Sequence, residues 1–180
     1  MEVVRLLLEA AANPNKEGTA GEGTPLCAAS ARGGAEIVRL LLGVAADIEA
    51  CNRFGFTPLC LAASAGNVEV ARLLVDARAD VNALNPHAYA WQVTLGDYWK
   101  STETPLTGAS SHGHVDIVHM LLEARADPGE TARSAAGRSG HYDIVNLLDC
   151  ATVQNAVAGA SATDEGLCVE RAACSEKPKA

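Results

Sequence analysis

One short motif recurs along the chain at long intervals. Thr-Pro-Leu occurs three times, and each time a Gly nine residues after the Thr opens an apolar stretch. The copies begin at Thr24, Thr57 and Thr104, and the corresponding glycines are Gly33, Gly66 and Gly113. A fourth stretch of the same kind follows Gly140 without a preceding Thr-Pro-Leu. Such self-similarity predicts a stacked array of units rather than one closed core.

Each copy predicts a pair of helices. Thr is a favourable N-cap and Pro suits the first helical turn, so Thr-Pro-Leu is expected to begin a helix. That helix carries small residues, such as Ala28-Ala29-Ser30, and ends at the Gly, where a positive φ is easily adopted. A second helix then returns antiparallel, with Ile37, Leu40 and Leu41 on one apolar stripe that a neighbouring unit must cover.

These features resemble the ankyrin repeat, whose period is near 33 residues and whose signature is Thr-Pro-Leu-His-x-Ala. The resemblance extends over residues 1–150. It implies an all-α solenoid of stacked helix-turn-helix units with projecting β-hairpin fingers. It also implies a protein-interaction module without catalytic activity, a view that agrees with the absence of recognised catalytic motifs.

The spacing of the motifs shows where the array is regular. Thr24 and Thr57 are 33 residues apart, whereas Thr57 and Thr104 are 47 apart, which predicts an insertion of 14 residues in one finger, at 84–97. The next equivalent position is Thr131, where the unit is degenerate. We predict a partial repeat at 1–20, repeats at 21–53, 54–100 and 101–127, a degenerate repeat at 128–150, and a poorly ordered tail at 151–180.

Two expectations concern the ends of the array. Residues 2–8 match a second helix, so the chain begins inside a repeat, which suggests a fragment of a longer protein. Val4, Leu7 and Leu8 are then expected to expose an unpaired apolar stripe. In the central repeat, Leu73→Ala is expected to reduce the free energy of unfolding by about 2–5 kcal/mol, and Leu147→Ala in the last repeat by much less.

Composition narrows the class of partner. The net charge of −8 and the pI near 5.0 argue against nucleic acid and favour a basic or neutral protein partner. No apolar run is long enough to insert into a membrane, and the first residues do not resemble a signal peptide. We therefore expect a cytoplasmic or nuclear monomer that contains no cofactor and no metal.

Cysteine and histidine offer little chemistry. The six cysteines are too scattered for a disulfide framework. Cys27 and Cys60 occupy the position of the family's signature His, so the hydrogen bonds that this His makes to the neighbouring turn are expected to be missing. His112, His114 and His119 lie close in sequence, but no Cys pair or carboxylate completes a recognised zinc spacing.

Aromatic residues concentrate in two fingers. Apart from Tyr142, they are Phe54, Phe56, Tyr89, Trp91, Tyr98 and Trp99. Fingers project, so these rings either bind a partner as anchors or fold back onto the repeat beneath. The family's variable positions before the turn Gly add Arg32 and His112 as candidate polar contacts.

Three functions are compatible with these residues. The first is a non-catalytic module that binds a partner protein through its concave face and its long aromatic finger. The second is a regulatory or targeting segment of a larger enzyme or membrane protein. The third is a modification substrate, because Leu74 lies eight residues before Asn82, a spacing that resembles an asparaginyl-hydroxylation site of ankyrin repeats. In the simpler interpretation, Asn82 only caps its turn.

Overall fold

The architecture is an array of antiparallel helix pairs. The structure, a computed structural model, describes residues 2–18, 23–84 and 104–160, with only the backbone for 155–160. These residues form nine helices and no strand. The helices are α1 (Glu2–Glu9), α2 (Pro25–Ala31), α3 (Ala35–Gly43), α4 (Pro58–Ser64), α5 (Val68–Asp76), α6 (Pro105–His112), α7 (Val115–Glu123), α8 (Glu130–Arg138) and α9 (Tyr142–Ala160). The all-α solenoid expected from the sequence is confirmed.

The Thr-Pro-Leu motifs begin helices as predicted. The Oγ1 atoms of Thr24, Thr57 and Thr104 accept hydrogen bonds from the backbone N–H three residues later, at 3.4, 3.3 and 3.1 Å. Each Pro occupies the first helical turn, where its missing N–H leaves no partner unsatisfied. The last repeat differs, because α8 begins at Glu130 after Gly129 and has no side-chain cap. Thr131 therefore lies inside the helix.

Helices pack in two layers. The first helices, α2, α4, α6 and α8, lie side by side in that order, and each packs on the second helix of its own unit. The second helices, α3, α5, α7 and α9, contact one another in the same order. Because these contacts link each unit to its neighbours, the core runs along the array as a continuous strip of Leu, Val, Ile and Ala.

In α5 and α9, the buried leucine is one residue later in the chain than the sequence predicted. Leu74 and Leu148 are fully buried, whereas Leu73 and Leu147 are only half-buried. We therefore expect the large loss in the free energy of unfolding from Leu74→Ala rather than from Leu73→Ala. Leu148 of the last repeat is covered as completely as Leu74, which contradicts the premise that the terminal repeat is poorly packed.

The first helix lacks the cover that the others have. The side chain of Leu7 is 53% exposed, whereas the equivalent Leu41 is 1% exposed against α2. The exposed apolar residues of α1 are Val3, Leu6 and Leu7. The prediction named Val4, Leu7 and Leu8, but Val4 and Leu8 are half-buried, and Leu8 packs against the core.

The last helix is longer than the other second helices. It continues beyond residue 150, the predicted end of the array, to Ala160. Residues 161–180, the remainder of the predicted tail, lie outside the described residues. The predicted long finger falls on residues 85–103, which are also outside them.

Candidate protein-interaction surface

A tight turn forms the finger between the first two full repeats. The Oδ1 atom of Asn52 accepts hydrogen bonds from the backbone N–H groups of Phe54 and Phe56, both at 3.0 Å. The Asn52 N–H donates to the Phe56 carbonyl at 3.0 Å, and the Gly55 N–H donates to the Asn52 carbonyl at 2.9 Å. Gly55 has a φ of 84°, which favours glycine. Four hydrogen bonds therefore fix the backbone of this finger.

Sequence reasoning missed Asn52, although it organises the turn. Its side chain is buried beneath the finger. The available signal was its place four residues before Phe56 in Asn-Arg-Phe-Gly-Phe, because Asn readily bonds backbone N–H groups two residues on.

The finger presents one aromatic ring outward. The Phe54 side chain is 39% exposed, and the guanidinium carbon of Arg53 lies 4.6 Å from its ring centroid. This distance is within the range of a cation–π contact. Phe56 is half-buried. The two Phe residues predicted as contacts are thus unequal, and Phe54 is the more accessible.

The ends of the first helices form a row of further candidate contacts. Because the four first helices lie side by side, the residues before each turn Gly line up from unit to unit. They are Ala31, Arg32, Ser64, Ala65, Ser111, His112, Arg138 and Ser139. We call these eight residues together with residues 52–56 the concave face, because the resemblance to ankyrin repeats places them there. Arg32 and His112, both predicted contacts, are exposed in this row.

Neighbouring side chains orient His112. Its Nδ1 atom lies 2.9 Å from the Gly108 carbonyl oxygen and 3.0 Å from the Ser111 Oγ. A proton on Nδ1 donates to that carbonyl and leaves Nε2 as the second ring nitrogen. The ring also stacks on His114, with centroids 6.1 Å apart and planes inclined by 8°. His112 therefore presents a defined edge rather than a freely rotating ring.

A second set of side chains joins one unit to the next at the turns. Asn67 Nδ2 donates to the carbonyls of Ser30 and Ala31, at 2.8 and 3.1 Å. At the equivalent position, His114 Nε2 lies 3.2 Å from the Ser64 carbonyl. His114 therefore has a structural role. No group of three or more His, Cys, Asp or Glu side chains that could hold a metal occurs in the part of the chain that the structure describes.

The buried Cys27 makes a hydrogen bond to the neighbouring turn in place of the family's signature His. Its thiol donates to the Ala50 carbonyl at 3.0 Å and lies 3.5 Å from Thr24 Oγ1. The expectation that the link to the neighbouring turn is lost was therefore wrong at Cys27. Burial raises the pKa of the Cys27 thiol, and burial also raises the pKa of Cys51. Both thiols are thus less nucleophilic at neutral pH than an exposed cysteine.

Asn82 connects its own repeat to the next. Its backbone N–H donates to Asp80 Oδ1 at 2.9 Å, and its Oδ1 accepts from the Asp127 N–H at 2.8 Å. Glu49 Oε1 makes the same contact with the Asp80 N–H, also at 2.8 Å. This position therefore serves as an inter-repeat cap. The Asn82 side chain is nevertheless exposed.

Four predicted contact residues lie outside the described residues. They are Tyr89, Trp91, Tyr98 and Trp99. Their role in binding stays a prediction.

The fold is that of a solenoid protein, built of helix pairs joined by short turns and fingers. Family models for ankyrin repeats match residues 1–85, in three copies, and residues 59–122. The chain belongs to the ankyrin-repeat family. No curated protein matches it.

Ankyrin repeats are generally protein–protein interaction modules and are typically non-catalytic. Among the helices that the structure describes, none combines the length and the apolar content required to cross a membrane.

Proposed function

We propose that the array binds a partner protein through its concave face and its fingers, and that it has no catalytic activity of its own. The observation that carries this proposal is the fixed turn at Asn52, which holds Phe54 outward with Arg53 stacked on its ring. Aromatic and Arg side chains dominate the binding energy of protein interfaces. A ring on a rigid turn loses little conformational entropy on binding.

The row of helix ends supplies a suitable rim for this anchor. Ser64 and Ala65 are small and leave space between Arg32 and His112, which belong to the neighbouring units. A partner segment can therefore approach the helix ends at the middle of the row. Arg32 and His112 then act as polar contacts around an apolar centre, as expected of an interface.

The long finger extends the same surface in this proposal. Its Tyr89, Trp91, Tyr98 and Trp99 would add aromatic contacts beside Phe54, within a predicted insertion at 84–97. We place the protein in the cytoplasm or nucleus and propose that it acts as a monomeric adaptor.

Affinity capture with matched variants tests the proposal. The bait is the full chain, in its original form, as Phe54→Ala and with residues 84–97 deleted, after circular dichroism has verified folding. Tyr142→Ala is the control, because Tyr142 is 69% exposed at the start of a second helix and is not one of the residues that define the concave face. We expect Tyr142→Ala to retain a partner that Phe54→Ala loses. Equal capture by all four chains would reject the concave face as the binding surface.

The exposed face of α1 supports a second candidate, a regulatory or targeting segment of a larger protein. No helix in the described part of the chain covers Leu7 in the way that α2 covers Leu41 in the next unit. Sequencing the transcript on the 5′ side tests this candidate. A further Thr-Pro-Leu helix or a catalytic domain in frame would support it, and an in-frame stop codon before Met1 would reject it.

Asn82 supports a third candidate, hydroxylation of its side chain. The residue is exposed and keeps the Leu74 spacing, but its Oδ1 is already engaged with the Asp127 N–H. Mass spectrometry of peptides from the native protein tests this candidate. An added oxygen on Asn82 supports it, and complete absence of that mass rejects it.

A further inference from the structure

The concave face carries a charge opposite to that of the whole chain. The chain has 22 Asp and Glu against 14 Lys and Arg. The eight residues that end the first helices include two Arg and one His, but no carboxylate. The finger turn at 52–56 adds Arg53 and again no carboxylate. Glu17, whose charge acts on the Cys27 thiol, is an acidic neighbour at the N-terminal end of the array.

The acidic residues are concentrated elsewhere. One group occupies the first turns of the second helices, at Glu36, Glu69, Asp116 and Asp143. Arg39 Nη2 lies 2.9 Å from Glu69 Oε1, and Arg39 Nε lies 3.8 Å from Glu36 Oε1. Arg39 therefore compensates part of the negative charge of this group. A second group, Asp47, Glu49, Asp80 and Asp127, lies after the second helices. Glu49 precedes Arg53 by four residues, and its Oε1 accepts a hydrogen bond from the Asp80 N–H of the next unit at 2.8 Å.

Several of these acids lie near the concave face. Glu36, Glu69, Asp116 and Asp143 follow Arg32, Ala65, His112 and Ser139 by four residues each. The pKa of Cys51, beside Asn52, is raised by burial and to a smaller extent by the charges of Glu49 and Asp47. Because the Debye length at physiological ionic strength is about 8 Å, a ligand responds mainly to the charges that it contacts. The net charge of the chain is a poor guide to the charge of its partner.

Arg53 is arranged to receive a carboxylate. It is exposed, it stacks on Phe54, and it forms no ion pair with the residues that the structure describes. A stacked guanidinium keeps its planar edge of N–H donors available, and that edge matches the geometry of a carboxylate. Asn52 fixes the backbone beneath both side chains.

We propose that the partner presents an acidic segment to the concave face. In this arrangement, a carboxylate binds Arg53, an adjacent apolar side chain packs on Phe54, and further acidic residues face the helix ends at Arg32 and Arg138. The inference rests on the proposed function and specifies the chemistry of its partner. It reverses the sequence-based expectation of a basic or neutral partner.

Fluorescence anisotropy with the full chain tests the chemistry directly. The probe is a labelled peptide of repeated Glu-Glu-Phe units, and the comparison peptides carry Gln-Gln-Phe or Lys-Lys-Phe. We expect the acidic peptide to bind about tenfold more tightly than the Gln peptide, and added salt to reduce the difference. Equal binding of the acidic and Gln peptides, tighter binding of the Lys peptide, or no binding of the acidic peptide would overturn the proposal.

A matched pair of variants locates the effect. Arg53→Gln removes one positive charge from the concave face, and Arg72→Gln removes one from the exposed side of α5. We expect Arg53→Gln to weaken binding of the acidic peptide about tenfold, with little change for Arg72→Gln. Equal weakening by the two variants would show that only the net charge of the chain matters, and would reject Arg53 as the binding site.

The peptide and capture experiments separate the two proposals. If Phe54→Ala abolishes partner capture but the acidic and Gln peptides bind alike, the interaction surface stands and its acidic specificity fails. If neither Phe54→Ala nor Arg53→Gln changes capture, both proposals fail.

Discussion

The side chain of Asn82 accepts a hydrogen bond from the Asp127 N–H at 2.8 Å, although the two residues are 45 positions apart in the chain. The equivalent contacts of Asn15 with Asp47 and of Glu49 with Asp80 join residues 32 and 31 positions apart, also at 2.8 Å. The additional residues between Asn82 and Asp127 therefore leave the stacking of the units unchanged.

Asn82→Ala is expected to weaken the junction between the second and third full repeats. It removes the acceptor for the Asp127 N–H, so the free energy of unfolding should fall by about 0.5–1.5 kcal/mol in urea denaturation. Asn82→Asp keeps an acceptor oxygen and is expected to lose less. An unchanged midpoint for Asn82→Ala would show that water replaces the contact.

Leu74→Ala should reduce the free energy of unfolding by about 2–5 kcal/mol, because Leu74 is fully buried between units. Leu73→Ala should reduce the free energy of unfolding by less, because Leu73 is only half-buried. Leu148→Ala in the last repeat should resemble Leu74→Ala, since its side chain is equally covered. Urea denaturation of the three variants checks the order. A loss at Leu73 equal to that at Leu74 would contradict the observed burial.

The sequence predicted the helix pairs because their signals are local. Thr-Pro at a helix start and Gly at a turn act through neighbouring backbone atoms, so no tertiary information is needed. The identity of the buried Leu was harder to predict, since Leu73 and Leu74 are adjacent and apolar and only the rotation of α5 against its neighbours separates them. The start of α8 was missed because Gly129 supplies no side-chain cap for a motif to reveal.

The candidate site was only partly predictable for a related reason. Phe54 could be named from its place in a finger, but the asymmetry between Phe54 and Phe56 arises from the hydrogen bonds of Asn52. The net charge pointed to a basic or neutral partner because composition averages over surfaces. Which surface Arg53 shares with other cationic side chains depends on the fold, so composition alone could not indicate it.

Ser30→Ala and Ser110→Ala are expected to stabilise the array. Both hydroxyl groups are fully buried and have no hydrogen-bond partner within the described ranges. Ala63 occupies the equivalent position of α4, so the site accepts a methyl group. Each substitution should raise the free energy of unfolding by about 1 kcal/mol, measured as a higher urea midpoint. The exposed Ser139→Ala serves as the control and should change stability by less than about 0.5 kcal/mol. A lower midpoint for Ser30→Ala would mean that its hydroxyl is satisfied in solution.

Ala45→Gly should also stabilise the protein. Ala45 follows α3 by two residues and has a φ of 56°, in the left-handed region. The Ala46 N–H closes the turn on the Leu41 carbonyl at 3.1 Å. Glycine adopts this conformation without the Cβ clash, so the expected gain is about 0.5–1 kcal/mol by thermal or urea denaturation. Ala77→Gly is the matched control, because Ala77 has a φ of −79° near the end of the next second helix. There, glycine should destabilise, and a loss at both positions would show that chain entropy outweighs the relief of strain.

Gly66→Ala is expected to be among the most damaging single-methyl additions in the chain. Gly66 has a φ of 75°, and an added Cβ would lie 2.6 Å from Cε1 of His114. The methyl group would displace the ring that joins this turn to the next unit through the Ser64 carbonyl. Backbone strain and steric overlap together should reduce the free energy of unfolding by at least about 2 kcal/mol. Gly43→Ala, where no atom lies within 4 Å of the added Cβ, should be neutral or stabilising. The double variant Gly66→Ala with His114→Ala separates the two causes, because removing the ring relieves the overlap but not the strained φ. Partial recovery of the urea midpoint in the double variant would assign the remaining loss to the backbone, whereas no recovery would show that the contact with His114 is unimportant.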